Sequence, residues 1–131
     1  MILDSSYLFD LMANDSDAFA KETEHVERGE MQWLPTPAVA ESYYGVATAR
    51  SETTGQEVRN RLLGYPWVDV DEEVARVAGT LLAEAEDRAG GDAGVGVNDA
   101  HIAAMAEILD DVVLTDNVDD LAALGASVET Y

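Results

Sequence analysis

The 131-residue sequence contains no cysteine. That excludes a disulfide framework and any thiolate metal site, and it suits a reducing compartment. Lysine is nearly missing as well: Lys21 is the only one, and the other cations are arginines. No stretch approaches the roughly 18 apolar residues that span a bilayer. The opening "MILDSSYLFD" lacks a basic region and carries an acid at position 4, which is not a secretory leader. These absences predict a soluble, cytoplasmic protein without a membrane partner. The glycine-rich stretch "AGGDAGVG" at 89–96 has no lysine and no GxxxxGK[ST] pattern. It also lacks the third glycine of a dinucleotide fingerprint and follows a helical pattern, so it reads as a connection.

Acid is what the sequence has in excess. There are 27 Asp and Glu residues, a net charge of −20 and a pI near 4.1. Such a chain repels itself strongly at low ionic strength. At about 1 M salt the Debye length is roughly 3 Å and the repulsion is largely screened. The composition therefore predicts a very salty cytoplasm, that of an extreme halophile. Nucleic-acid binding normally rests on Lys and Arg, so here it would need metal ions or a local arginine patch. Apolar residues make up 47% of the chain, too many for a disordered acidic tail. The length suits one domain, residues 1–131, with its own core.

Short apolar runs at 1–3, 31–34, 67–70, 112–115 and 127–130 read as strands. Helical patterns fill the intervals. A short helix covers "YLFDLM", capped by Ser5 or Ser6. A second starts at Asp15 or Ser16 and ends near Arg28, before Gly29. A third starts at Thr36-Pro37 and runs to about Arg50. Others are expected over about 54–63, from Asp71 to about Arg88, from Asn98 to about Leu109, and over 117–124. Strands alternating with helices predict an α/β fold with a parallel sheet. No internal repeat or linker interrupts the pattern.

In such sheets ligands bind beyond the carboxyl ends of the strands, where strand order reverses. Asp4 follows the first strand. Thr115, Asp116 and Asn117 follow the fourth. If the two strands are neighbours, all four residues face one crevice. Asp99 opens a helix whose stripe Asp99, Ile102, Ala103, Ala106 is apolar apart from the acid. An inward carboxylate needs partners, and a cation shared with Asp4 would serve. Each acid also has a plainer reading, Asp4 as a helix cap and Asp99 as a first-turn acid. Glu41 lies nearly opposite the apolar face formed by Val39, Tyr43, Val46 and Ala47, and periodicity alone makes it a solvated acid.

Taken in order, four stretches resemble the PIN domain family, and within it the VapC-type toxin ribonucleases. "MILDSSYLFDLM" is similar to the opening strand and aspartate, with Ser6 at a Ser/Thr/Asn position. "TPAVAESYYGV" is similar to the second motif, a glutamate followed four residues later by glycine, here Glu41 and Gly45. Ser42 departs from its usual leucine. "NDAHIAAMAEIL" is similar to the third, with its aspartate at Asp99. "LTDNVDDLAALG" is similar to the fourth, with Asp116 where arginine is frequent and Leu121 where phenylalanine is. The resemblance covers nearly the whole chain. It implies a PIN-like three-layer sandwich with a parallel sheet of four to five strands, ordered 3-2-1-4-5, flanked by helices.

The resemblance further implies a Mg²⁺- or Mn²⁺-dependent endoribonuclease, the toxin of a toxin–antitoxin pair. Asp4 and Asp99 would be metal ligands. Glu41 would hold a second metal or orient the attacking water. Asp116 and Asn117 are supplementary candidate ligands, with Ser6 and Thr115 in support. Arg50, Arg59 and Arg61, three of the seven cations, are candidates to hold RNA phosphates, or else they form surface ion pairs with Glu52 and Glu57. Asn117 reads as both the fourth site position and a helix cap, and Asp120 as its capping-box partner. The implied partners are RNA, an antitoxin protein and a second copy of the chain in a homodimer, with Tyr43, Tyr44 and Val46 at the contact. Two other readings stand beside this one. A catalytically degenerate PIN-fold module would act through protein or RNA binding. A phosphoacceptor receiver domain would want a lysine near its pocket, and Lys21 lies in an early helix.

Overall fold

A computed structural model describes residues 1–49 and 54–131. Among these residues the order is β1 (Ile2–Leu3), α1 (Ser5–Met12), α2 (Ser16–Glu27), β2 (Leu34–Pro35), α3 (Thr36–Thr48), α4 (Gly55–Leu62) and β3 (Trp67–Val68). Then follow α5 (Glu72–Ala89), α6 (Val97–Leu109), β4 (Val113–Leu114), α7 (Val118–Ala123) and β5 (Val128–Glu129). All strand pairings are parallel, as the alternation predicts. The strands are shorter than their apolar runs.

The strands form a three-stranded set, β1-β4-β5, and a two-stranded set, β2-β3. The expected single sheet is thus divided, and the sets abut at one parallel bridge between Ile2 and Trp33. There Trp33 N–H donates to the Met1 carbonyl at 2.8 Å, and Leu3 N–H donates to the Trp33 carbonyl at 2.9 Å. One residue later the chain turns to its other neighbour, with Leu34 N–H donating to Pro66 at 2.8 Å. Pro35 then ends the ladder, having no N–H to give.

Ile2, Leu3, Val113 and Leu114 are completely buried, which accounts for runs that are apolar throughout rather than alternating. Helix α6 packs against β1 and β4, and α5 packs along α6. Ala100, Ala103, Ala104 and Ala106 of α6 are all buried. Such small side chains let helix and sheet backbones lie close, and Ile102 and Met105 fill the remaining space. Helix α5 is capped as expected: the Asp71 carboxylate accepts from Val74 N–H at 2.9 Å, and the helix ends at Gly90, φ 73°.

Four helix ends differ from expectation. Helix α1 begins at Ser5, so Asp4 and neither serine holds the cap position, although its side chain makes no capping bond. Helix α3 stops at Thr48 because Ala49 is already extended, ψ 133°. Helix α6 begins at Val97 with Gly96 as cap, two residues before the predicted cap Asn98. Asn117 stands at the head of α7 without a side-chain cap bond. At all but the α3 end, side chains expected to cap the backbone bond to other side chains instead.

Candidate active site

Asp4 follows β1 directly and is 3% exposed. Its Oδ2 accepts from Ser6 Oγ at 2.9 Å and from Thr115 Oγ1 at 2.7 Å. Those hydroxyls are held in turn. Asp116 N–H donates to Ser6 Oγ at 3.2 Å, and Asn117 N–H donates to Thr115 Oγ1 at 2.8 Å. The turn after β4 therefore grips Asp4 through two relaying hydroxyls, which requires β1 and β4 to be neighbours, as they are. Asp4 Oδ1 is buried with no partner. A buried acceptor left unpaired is costly, and native proteins rarely keep one without use.

Glu41 projects from α3 and is half-buried. Ser5 Oγ donates to its Oε2, and Asn98 Nδ2 donates to its Oε1 at 3.0 Å. The acid that periodicity assigns to solvent is thus hydrogen-bonded from both α1 and α6. Gly45, one turn further along α3, lies against α1: a Cβ there would stand 2.7 Å from the Phe9 ring. The Glu41–Gly45 spacing joins an acid at the site to the point where the two helices meet.

Asp99 is the third residue of α6 and is half-buried. Its carboxyl is pushed up from 3.8 to about 6, first by burial and then by the charges of Asp4, Glu41 and Asp120. The Gly96 backbone amide opposes the rise, as it would for an acid reaching back toward its own helix cap. Asp120 is the residue whose place sequence reasoning missed. It does take a bond from Asn117 Nδ2, at 3.1 Å, but it also acts on Asp99. The signal available was its position in the fourth motif, three residues after Asn117.

The remaining candidates lie differently. Asp116 is exposed and meets the site through its backbone N–H. Arg50 lies outside the described residues. Arg59 is exposed on α4, and Arg61 donates to the Leu11 carbonyl at 3.3 Å, between α4 and α1. No ion pair of Arg59 or Arg61 occurs among the described residues, and the Glu57 carboxylate accepts from Thr54 N–H in a capping box.

A hydrogen-bonded, half-buried carboxylate array on three elements follows from these contacts. Compared with known proteins, the sequence matches the model of the PIN domain over residues 1–125. The chain belongs to the PIN domain family. Its fold is similar to that of VapBC2 from Rickettsia felis bound to a DNA fragment from its promoter, with a TM-score of 0.81 and 18% identity over 99% of this chain and 97% of that one. FitAB bound to an IR36 DNA fragment gives a TM-score of 0.81 and 19% identity over 98% and 93% of the two chains. VapBC-5 from Mycobacterium tuberculosis gives 0.60 and 27% over 98% and 94%. Among curated proteins none matches this sequence.

The PIN residues fit a hard divalent cation by their chemistry. Asp4, Glu41, Asp99 and Asp120 offer only oxygen donors, the ligands Mg²⁺ and Mn²⁺ prefer. Burial, and after it the charges of Asp4, Glu41 and Asp120, raise Asp99, and Asp4 keeps an unused buried oxygen. No basic side chain pairs with Asp4, Glu41 or Asp99 among the described residues. Nor do any three His, Cys, Asp or Glu among those residues stand close enough together to hold a metal as they are.

Proposed function

We propose that this PIN domain is a Mg²⁺- or Mn²⁺-dependent endoribonuclease acting as the toxin of a toxin–antitoxin pair. The observation that carries the reading is the buried, partnerless Asp4 Oδ1, with Asp99 pushed up by burial and then by the charges of Asp4, Glu41 and Asp120. Asp4, Asp99 and Glu41 would hold the metal, with Asp116 and Asn117 as further candidates. When bound, the metal lowers the pKa of a water and neutralises charge on the scissile phosphate. The chain's own work is positional. Ser6 and Thr115 fix one oxygen of Asp4 and leave the other to the cation. Both oxygens of Glu41 are partly engaged, yet a carboxylate has about four lone-pair sites, so it can still bind or orient a water. Asp99, raised to about 6, is ionised at neutral pH and more readily so beside a cation. Arg50, Arg59 and Arg61 would supply the phosphate contacts that the acidic site repels.

Two of the similar solved structures named above, VapBC2 and FitAB, are bound to DNA fragments, and VapBC-5 is a member of a family of toxin–antitoxin systems. By analogy, an antitoxin would cover this chain and a homodimer would form, with exposed Tyr43 and Tyr44 at the contact. Its place of action would be the cytoplasm; among the described residues no helix is long and apolar enough to cross a membrane. The test is cleavage of a structured RNA pool in high KCl with Mn²⁺ or EDTA, comparing the wild type with Asp99→Asn. Cleavage that survives EDTA or the substitution would refute the mechanism. The spread of the carboxylates favours one second reading, a degenerate module that binds without cutting. It predicts no Mn²⁺ binding by the wild type.

A further inference from the structure

Glu41 stands on the inward side of α3: buried Pro37 and Ala38 lie four and three residues before it and Gly45, against Phe9, four after, whereas Tyr43 and Tyr44 are exposed. It is only half-buried, and with three rotatable bonds its carboxylate could still turn. Two side chains hold it. Ser5 Oγ, from the first residue of α1, donates to Oε2, and Asn98 Nδ2, from α6, donates to Oε1. The donors lie 36 residues before and 57 residues after Glu41 in sequence. Each approaches a different oxygen, so together they fix the rotation of the carboxylate as well as its position.

Among the described residues the Asn98 side chain makes no other hydrogen bond. It does not cap α6, since Gly96 does, and its own residue is exposed. It is also the neighbour of Asp99, so its bond to Glu41 ties the start of α6 directly to α3. We infer that Asn98 and Ser5 are positioning residues, a two-donor clamp that sets the Glu41 carboxylate against Asp99. The inference rests on the proposed metal site for its consequence and on the metal-free protein for its existence.

Outer partners of carboxylate ligands typically contribute 10–100-fold to metal affinity or activity. Asn98→Ala should therefore weaken Mn²⁺ binding by roughly tenfold. Because Asn98 is exposed, the same substitution should leave the thermal midpoint in EDTA unchanged. Ser5→Ala should weaken binding comparably, and the double substitution more than either. In RNA cleavage, kcat should fall with KM unchanged, because both side chains act through Glu41.

The clamp is read first without metal, by carbon-detected NMR of the Glu41 side chain in EDTA. The wild type should show one rotamer and Asn98→Ala an average. Mn²⁺ affinity of the same samples follows by calorimetry. A Glu41 already averaged in the wild type overturns the clamp whatever metal does. A fixed Glu41 that Asn98→Ala leaves fixed overturns it too, as does Mn²⁺ affinity untouched by the substitution. A wild type that holds Glu41 fixed but binds no Mn²⁺ leaves the clamp standing and refutes the metal-dependent nuclease.

Discussion

Removing the charge of Asp99 should make the metal-free protein more stable. The folded chain raises this carboxyl from 3.8 to about 6, so ionising it costs free energy in the fold that it does not cost in the unfolded chain. Between those two values the native state holds more protons than the unfolded state, and stability falls as pH rises through the window. At neutral pH the full penalty is present. A shift of about two units corresponds to at most roughly 3 kcal/mol. Asp99 is only half-buried, and solvent screening brings the expected value to about 1 kcal/mol. For a chain of this size that is a midpoint shift of roughly 3 °C. The assay is thermal unfolding of wild type and Asp99→Asn in EDTA and 1 M KCl, from pH 4.5 to 7.5. Salt at that level weakens the charge repulsion from Asp4, Glu41 and Asp120 but not burial, the largest cause. The wild type should lose stability toward neutral pH, the variant should lose less, and the gap between them should shrink to about a third of its neutral value by pH 4.5. Adding Mn²⁺ should raise the wild type alone. A variant less stable than the wild type at pH 7 would refute the reasoning, as would an identical pH slope.

Thr115→Val removes one of the two donors to buried Asp4 and leaves the Asn117 N–H without its acceptor. It should cost about 2 kcal/mol in urea unfolding, and an effect near zero would show that Asp4 is held otherwise. Gly45→Ala would bring a Cβ within 2.7 Å of the Phe9 ring. Because Phe9 is 37% exposed and its ring can yield, the expected loss is about 1 kcal/mol. Phe9→Ala in the same chain should abolish that increment in a double-mutant cycle. With a net charge of −20, the unfolding midpoint should climb steadily as KCl rises from about 0.2 to 2 M, and a flat response would remove the physical ground for the halophile reading.

Legibility from sequence followed the range of the interactions involved. Asp4 and Thr115 were readable because each ends an apolar run, and parallel sheets gather strand ends on one side. Asp99 was readable because an acid on an otherwise apolar helical stripe has to point inward. Glu41 was not readable from its helix, because the apolar stripe of Val39, Tyr43, Val46 and Ala47 is not the buried face of α3: the buried residues are Pro37, Ala38 and Ser42, on the side of Glu41. Its partners come from α1 and α6, and only the family resemblance singled it out. Asn98 shows how much a short boundary shift matters. Placed at the cap, its side chain belongs to the backbone; with α6 starting at Val97, that side chain is released to reach Glu41. Asp120 failed for a similar reason, because a local partner three residues away concealed its action on Asp99. Strand lengths were overestimated because hydrophobicity marks burial, and backbone pairing extends over fewer residues than burial does.

The hydroxyl grip on Asp4 joins residues 111 positions apart in the chain. Closing so long a loop is slow, and parallel pairing of β1 with β4 has to wait for it. Asp4 is made long before its donor Thr115 and the backbone N–H of Asn117. Until they emerge, the carboxylate has only the nearby Ser6 hydroxyl as a donor. Fragments halted before β4 would have α1 and α3 but lack Thr115 and the two backbone N–H groups that hold the hydroxyls against Asp4. The site is in this sense a checkpoint on completeness, and a truncated product, however much of its helical structure it retains, should be chemically inert.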